Sequence, residues 1–321
     1  MGKHLLIYDV DWWILGYKAR IIQKYHPQLE IIAEKKMKQL IKEEGAEAIN
    51  REYDVISTLS IGTAAHLLKK KVRIDSSQVG GFNYFTTNIH TFKEWEERIK
   101  PNYPFIRQTL KKIDRLGAIS PNLTEILRKY APQTEYIRHF VDSDHFKPME
   151  DKKPPHEEPF VIGWVGNKRR IGKNYETLYQ PIVEAFKDNP AVAFIESTKE
   201  NMRSIEEMPV LYNSFDLLLV TSANEGGPAP AMEAYSCGIP VLSTNVGYVK
   251  TAASPEAQSL ILNSDNPKEF IEKITFLLSN RQQLKELGIG ARENILKSWT
   301  VEKTINDWLT TLFNITREEE R

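Results

Sequence analysis

FDLLLVTSANEGGPAPAMEAYSCGIPVLSTNVG, residues 215–247, decides how the chain is organised. Leu217–Val220 is a short aliphatic run after Asp216, and Val241–Ser243 is a second run after Gly238 and Pro240. Short apolar runs bounded by turn residues read as strands buried on both faces of a parallel sheet. Between them, Pro228 to Ser236 carries the helix formers Ala229, Ala231, Met232, Glu233 and Ala234. A proline stands in the first turn and Gly238 is placed as the C-terminal stop. The pattern predicts strand, glycine-rich turn, helix and strand.

That order has a chemical consequence. Gly226 and Gly227 have no side chains, so the turn brings backbone N–H groups close to a ligand. The helix aims its unpaired amides and the positive end of its dipole at the same spot. An anion, above all a phosphate, is what such a turn holds, with Gly226, Gly227, Pro228 and Ala229 around it. Glu225 stands at the mouth of the turn and Glu233 lies on the helix. Carboxylates accept hydrogen bonds from hydroxyls, so the two suit a ligand that carries both phosphate and polyol.

Glu225-Gly-Gly-Pro-Ala-Pro-Ala-Met-Glu233-Ala, with Cys237-Gly-Ile-Pro-Val behind it, resembles the Glu-x7-Glu signature of retaining family-4 glycosyltransferases. The resemblance implies the GT-B fold: two Rossmann-like α/β domains with parallel sheets facing a central cleft, and a C-terminal helix crossing back to the first domain. It also implies that Glu233 holds the ribose hydroxyls of a nucleotide sugar and Glu225 the hydroxyls of the donor sugar.

At 321 residues the chain has room for two domains, each with its own core. Lys+Arg and Asp+Glu both total 43, and nothing in that balance points to a nucleic-acid binder. Cys237 is the one cysteine, so no intrachain disulfide forms, and a reducing, cytoplasmic setting is expected. No apolar run approaches the roughly 18 residues of a membrane span. The first hydrophobic stretch is broken by Asp9 and Asp11 and reads as the first strand rather than a signal peptide.

Short apolar runs at His4–Val10, Leu29–Ala33, Asp54–Leu59, Val72–Asp75, Leu116–Ile119 and Glu135–Phe140 alternate with helical stretches at 34–44, 61–70, 92–112 and 121–131. This is the pattern of a parallel sheet covered by helices, in which ligands bind beyond the carboxyl ends of the strands. Residues 1–148 are expected to form this acceptor domain, closed by Val141-Asp-Ser-Asp-His-Phe-Lys-Pro148, which resembles the segment that ends the first domain in the family. Acceptor-side candidates are Asp11, Trp12 and Gly16 in the first turn, Asp75, Ser76 and Tyr84 around the fourth strand, and Ser120 at the next strand end. The histidine that the family commonly carries after the fourth strand is absent, so its role is either missing or moved to Asp75, and Ser120 resembles the family's cleft serine. As a helix N-cap Ser120 has an equally simple explanation.

Proline- and charge-rich residues 149–159 read as the linker, residues 160–298 as the donor domain, and residues 299–321 as the helix that returns to the first domain. Val161–Val165 is the opening strand of the donor domain, and Gly166-Asn-Lys-Arg-Arg-Ile-Gly-Lys173 follows it. Four cations in a glycine-flanked strand-to-helix turn neutralise a diphosphate. In the resembled family an arginine and then a lysine stand here. Lys173 matches the lysine, while Asn167 occupies the arginine's place, so Lys168 or Arg169 is expected to substitute. Gly166 and Asn167 flank the donor, and Glu196 and Ser197 end the next strand beside the nucleotide base.

The expected chemistry is sugar transfer from a nucleotide-diphosphate sugar to a carbohydrate or lipid-linked acceptor. Lys173, Lys168 or Arg169 and the amides of Gly226 to Ala229 would stabilise the departing diphosphate, with no cofactor or metal. Retention of anomeric configuration follows from the resemblance alone. The basic runs Lys35-Lys-Met-Lys38 and Lys69-Lys-Lys-Val-Arg73 are candidates for peripheral contact with an anionic membrane, or are plain solvated faces. The alternatives are a phosphorylase or epimerase of the same fold, a hydrolase using Glu225 and Glu233, and a catalytically silent subunit that binds nucleotide sugar or a partner enzyme.

Overall fold

The computed structural model of the chain describes residues 2–12, 14–82, 100–149 and 159–316. Among these, two compact units separate. One comprises 2–82, 100–139 and 302–316; the other comprises 140–149 and 159–301. Tyr84 and most of the expected linker lie outside the described residues.

In the first unit six parallel strands lie in the order β2-β1-β3-β4-β5-β6. They are β1 His4–Tyr8, β2 Leu29–Ala33, β3 Val55–Thr58, β4 Ser76–Val79, β5 Arg115–Ala118 and β6 Thr134–Tyr136. The helices Ile14–Tyr25, Glu34–Glu44, Ala46–Glu52, Ile61–Lys69 and Pro121–Arg128 alternate with them, as the apolar runs predict. Ser60 starts one of these helices, its side chain accepting from Gly62 N at 3.2 Å.

One strand is displaced from its expected place, and this moves two candidate residues. Val72 and Ile74 are buried and mimic strand alternation, yet the ladder is formed by Ser76–Val79. Lys71 turns through a positive φ of 65° just before them. The buried hydroxyls of the true strand satisfy one another sideways: Ser76 Oγ lies 2.9 Å from Ser57 Oγ and accepts from it, its own hydrogen going to the final helix, and Thr58 Oγ1 donates to Ser77 Oγ at 2.7 Å. Asp75 and Ser76 therefore stand at the amino end of β4, opposite the edge where they were expected.

The final helix, Val301–Phe313, packs on the first unit through residues of that unit. Trp308 is fully buried and its Nε1 donates to Arg138 O at 2.8 Å. Ser76 Oγ and Arg115 Nε donate to the helix's last carbonyls, Leu312 O at 2.6 Å and Thr311 O at 3.0 Å. These are C-terminal carbonyls that no intrahelical amide reaches. Phe313 closes the contact, stacked on His4 with ring centroids 5.7 Å apart.

The second unit is a five-stranded parallel sheet in the order β11-β10-β9-β7-β8. Its strands are β7 Phe160–Val165, β8 Val192–Ser197, β9 Leu217–Val220, β10 Val241–Thr244 and β11 Ile261–Leu262. Phe160, Ile162, Trp164, Leu178, Tyr179, Leu217 and Leu219 form its core on one face. Burying side chains of this size contributes about 1.5–3 kcal/mol each.

Residues 140–148 were expected to close the first domain, but they cluster with the second unit. Hydrogen bonds show why. Ser236 Oγ donates to Phe146 O at 2.6 Å, Asn213 Nδ2 to Lys147 O at 2.9 Å, and Val141 N to Trp299 O at 3.0 Å.

Candidate functional site

The organising stretch folds as its pattern predicts. β9 ends at Val220, the turn runs from Thr221 to Pro228, and the helix Ala229–Ser236 leads to β10. A second turn, from Gly166 to Asn174 after β7, is fastened to it. Thr221 Oγ1 donates to Lys173 O at 2.7 Å and accepts from Trp164 Nε1 at 3.0 Å, while Ala223 N donates to Gly172 O at 2.9 Å. Residues far apart in sequence are thereby brought side by side.

The product is an ion pair. Lys173 Nζ lies 2.5 Å from Glu225 Oε1, and each side chain is only 12% exposed. Ser222 Oγ also donates to Glu225 Oε1, at 3.3 Å. Burial pushes the Glu225 carboxyl up, but the charges of Lys173 and Arg170 and these hydrogen bonds outweigh it and hold the carboxyl below its ordinary value. Glu225 is thus a carboxylate beside a cation, in the turn that leads into the helix Ala229–Ser236.

The four cations are not equivalent. Arg169 Nε pairs with Glu200 Oε1 at 3.0 Å, and Lys168 Nζ lies 5.8 Å from the centre of the Tyr175 ring. Neither Lys168 nor Arg169 is placed against Glu225 by these contacts. Arg170 is the cation whose charge acts on Glu225 together with Lys173. It was hidden within the basic cluster, and its signal was its spacing of one tight turn from Lys173.

Glu233 is 6% exposed and accepts a hydrogen bond from the Tyr212 hydroxyl at 2.5 Å. Its buried side chain sits on the helix that follows the Glu225 turn. Pro228 is the N-cap of that helix and has no N–H, so Gly226, Gly227 and Ala229 supply the turn's amide donors. Gly227 has a packing reason as well. A Cβ there would lie 1.9 Å from the ring of Tyr248, so the absent side chain makes room for a buried aromatic beneath the turn.

At the end of β8, Glu196 Oε1 accepts from the Tyr175 hydroxyl at 2.8 Å. Burial first, and Glu196 second, push that hydroxyl up to about 12, so Tyr175 stays a donor. Ser197 is buried and its carbonyl accepts from Gly166 N at 3.0 Å, which ties β8 to the basic turn. Asn167 Oδ1 accepts from Arg169 N at 3.1 Å and shapes that turn.

In the first unit, Asp11 and Trp12 lie in the turn after β1, and Gly16 lies in the helix Ile14–Tyr25 that follows it. Tyr8 donates its hydroxyl to Asp11, and Trp12 is 57% exposed. A Cβ on Gly16 would lie 2.6 Å from Asp11 O, so only glycine lets the first helix approach this turn. Ser120 is buried beyond β5; its Oγ has no hydrogen-bond partner among the described residues, and no side-chain cap bond forms. The plain N-cap explanation therefore does not hold. Asp75 and Ser76 are engaged within the fold at the amino end of β4, not at the carboxyl end where they were expected. Asp75 Oδ2 accepts from Ile56 N at 2.7 Å and its carboxylate pairs with Arg73, while Ser76 is fully buried against Leu312. Arg73 also donates to Tyr53 O at 2.6 Å, and Lys38 pairs with Glu34 at 2.5 Å, so part of each basic run is engaged within the fold.

Residues 171–294 match the sequence profile of the family described as Glycosyl transferases group 1. The chain is 30% identical over 198 residues to a D-inositol 3-phosphate glycosyltransferase of Corynebacterium urealyticum, covering 53% of this chain and 44% of that protein. It is 29% identical over 104 residues to the enzyme of that name in Salinispora tropica, covering 32% of this chain and 21% of that one. The chain thus spans less than half the length of either curated relative. Among solved structures, sucrose-phosphate synthase from Thermosynechococcus elongatus superposes with a TM-score of 0.69 at 15% identity, over 95% of this chain and 97% of that one. Anabaena HepE, solved in complex with UDP-glucose, superposes with a TM-score of 0.68 at 13% identity, over 98% of this chain and 100% of that one. No helix among the described residues is long and apolar enough to cross a membrane. The chain has the two parallel-sheet α/β domains of the GT-B glycosyltransferase fold, and its residues 171–294 are similar in sequence to the group 1 glycosyl transferases.

Proposed function

We propose that this protein is a glycosyltransferase that moves a sugar from a nucleotide-diphosphate sugar to a carbohydrate or lipid-linked acceptor. The observation that carries this assignment is the 2.5 Å pair of Lys173 with Glu225, set in a glycine turn at the head of a helix. A cation and backbone amides suit a diphosphate, and a carboxylate beside them suits sugar hydroxyls. The group 1 match over residues 171–294 and the UDP-glucose complex of the structurally similar HepE support the same donor class.

As the sugar–phosphate bond breaks, charge grows on the departing diphosphate. Lys173, Arg170 and the amides of Gly226, Gly227 and Ala229 would meet that charge without a metal. Glu225 would accept from the donor-sugar hydroxyls and Glu233 from those of the ribose. Retention of configuration is proposed from the resemblance of the Glu225–Glu233 spacing. The turn bearing Asp11 and exposed Trp12, with Gly16 on the helix behind it and Ser120, is proposed for the acceptor, Trp12 offering a face for a sugar ring to stack on. A cytoplasmic setting is proposed, with peripheral membrane contact through the exposed Lys35, Lys36, Lys69, Lys70 and Lys71.

The test is incubation of the protein with a panel of uridine, guanosine and adenosine diphosphate sugars, monitoring release of nucleoside diphosphate. Slow release from one donor, accelerated by an acceptor, is the expected result. Tight binding of a donor without any release would favour the silent-subunit alternative.

A further inference from the structure

We infer that Tyr212 is a positioning residue, whose hydroxyl fixes the Glu233 carboxylate in the orientation that reads the ribose hydroxyls of the donor. This rests on the proposal that Glu233 is the ribose ligand. The Tyr212 side chain is fully buried and its hydroxyl meets Glu233 Oε2 at 2.5 Å. Its ring is held between two buried aromatics, with centroids 6.1 Å from Phe146 and 6.0 Å from Phe215. The next residue, Asn213, anchors the same helix, Met208–Asn213. Its Nδ2 donates to Lys147 O and Pro209 O at 2.9 Å, and its Oδ1 accepts from Met149 N at 2.9 Å. The donor is therefore mounted rigidly on an element that lies outside the Glu225–Glu233 motif.

Chemistry gives this contact a direction. Burial, and then the neighbouring Glu233 charge, push the ionisation of Tyr212 well above its ordinary value, so it remains a donor and Glu233 remains an acceptor. A carboxylate has about four lone-pair sites, and a donor on one oxygen fixes the plane in which the others point. Adjacent ribose hydroxyls need two acceptor sites in a set geometry, and a freely rotating carboxylate would pay for that order on binding. A phenylalanine would fill the same space, so the hydroxyl is the part that packing does not explain.

The experiment measures calorimetric binding of UDP, 2′-deoxy-UDP and 3′-deoxy-UDP to the full chain, replaced by the guanosine or adenosine series if that base binds better. The wild type is expected to prefer the ribonucleotide by about tenfold, the worth of a charged hydrogen bond. Tyr212→Phe is expected to bind the deoxy forms as the wild type does and to lose most of the preference, to under about threefold. A Tyr212→Phe protein that keeps the full preference overturns the inference. A wild type with no preference overturns it together with the Glu233 assignment, while leaving the diphosphate grip standing; a wild type that binds no nucleoside diphosphate overturns the proposed function itself. If Tyr212→Phe fails to fold, Glu233→Gln and the double variant Tyr212→Phe/Glu233→Gln give the same answer. Action through Glu233 predicts that the second substitution changes the preference no further, and an additional loss contradicts it.

Discussion

Lys173 and Glu225 stand 52 positions apart in the chain and 2.5 Å apart in the fold, each almost withdrawn from solvent. On the proposed function a diphosphate drawn to Lys173 would share it with Glu225, so grip on the leaving group would be coupled to the placement of that carboxylate. Lys173→Met should leave a buried carboxylate without its cation and cost about 3–5 kcal/mol of stability. Adding Glu225→Gln to it should restore most of that loss, which thermal melting of the single and double variants would show.

The same pair sets an acid limit. Burial raises the Glu225 carboxyl, but Lys173 and Arg170 win and hold it below its ordinary 4.5. A carboxyl depressed in the fold stabilises above its unfolded value, and that stability is lost as pH falls through the folded value. The wild-type contribution should therefore fade only below pH 4.5, whereas in Lys173→Met, where burial acts on the carboxyl without its main cation, the stability deficit should shrink as pH falls and the carboxyl is neutralised. Melting temperature against pH from about 3 to 7 checks this.

A second titration belongs to the first unit. His4 Nδ1 and His26 Nε2 are 2.8 Å apart, both buried and both packed on Phe313 of the final helix. Burial chiefly lowers both below their ordinary 6.5, Arg115 and the chain terminus adding to this for His4 and Asp54 opposing it. The unfolded chain binds protons first, so this stability is present above about 6.5 and is lost as pH falls through the depressed folded values. His26→Gln, which hydrogen-bonds without titrating, should flatten the stability change between about pH 6.5 and 5, measured by denaturant unfolding.

Gly227→Ala would place a Cβ 1.9 Å from the Tyr248 ring, and the turn or the ring must move. A loss of about 1–3 kcal/mol is expected, as for overpacking elsewhere. Tyr248→Leu in the same chain should recover part of it. A double-mutant cycle of unfolding free energies measures the coupling.

Asp75→Ala should act on stability alone. Its carboxylate satisfies the amide of Ile56, a fully buried residue, and pairs with Arg73 at the amino end of β4. Removing it should cost about 1–3 kcal/mol. Turnover per folded molecule should match the wild type in the donor-release assay.

How much of this was legible in the sequence follows from where each signal is stored. The Glu225 turn and its helix were readable because glycine, proline and helix formers act locally, within one strand–turn–helix unit. The fourth strand was misplaced because Val72 and Ile74 alternate like a strand, whereas the real one, Ser-Ser-Gln-Val, pays for its buried hydroxyls through partners on β3 and the final helix. No spacing rule reveals such partners. Tyr212 was likewise invisible, since a tyrosine on a short helix announces nothing until the fold sets it against Glu233. Arg170 was in view but unresolved, because composition counts four cations without saying which one's charge acts on Glu225 with Lys173.

The most direct test of the central claim is calorimetric affinity for UDP, or for the nucleoside diphosphate of the preferred base, in the wild type, Lys173→Met and the charge-balanced Lys173→Met/Glu225→Gln. If Lys173 grips the diphosphate, both variants should bind it on the order of a hundredfold more weakly, with affinity for the bare nucleoside unchanged. Folded variants that bind the diphosphate within about twofold of the wild type would contradict it.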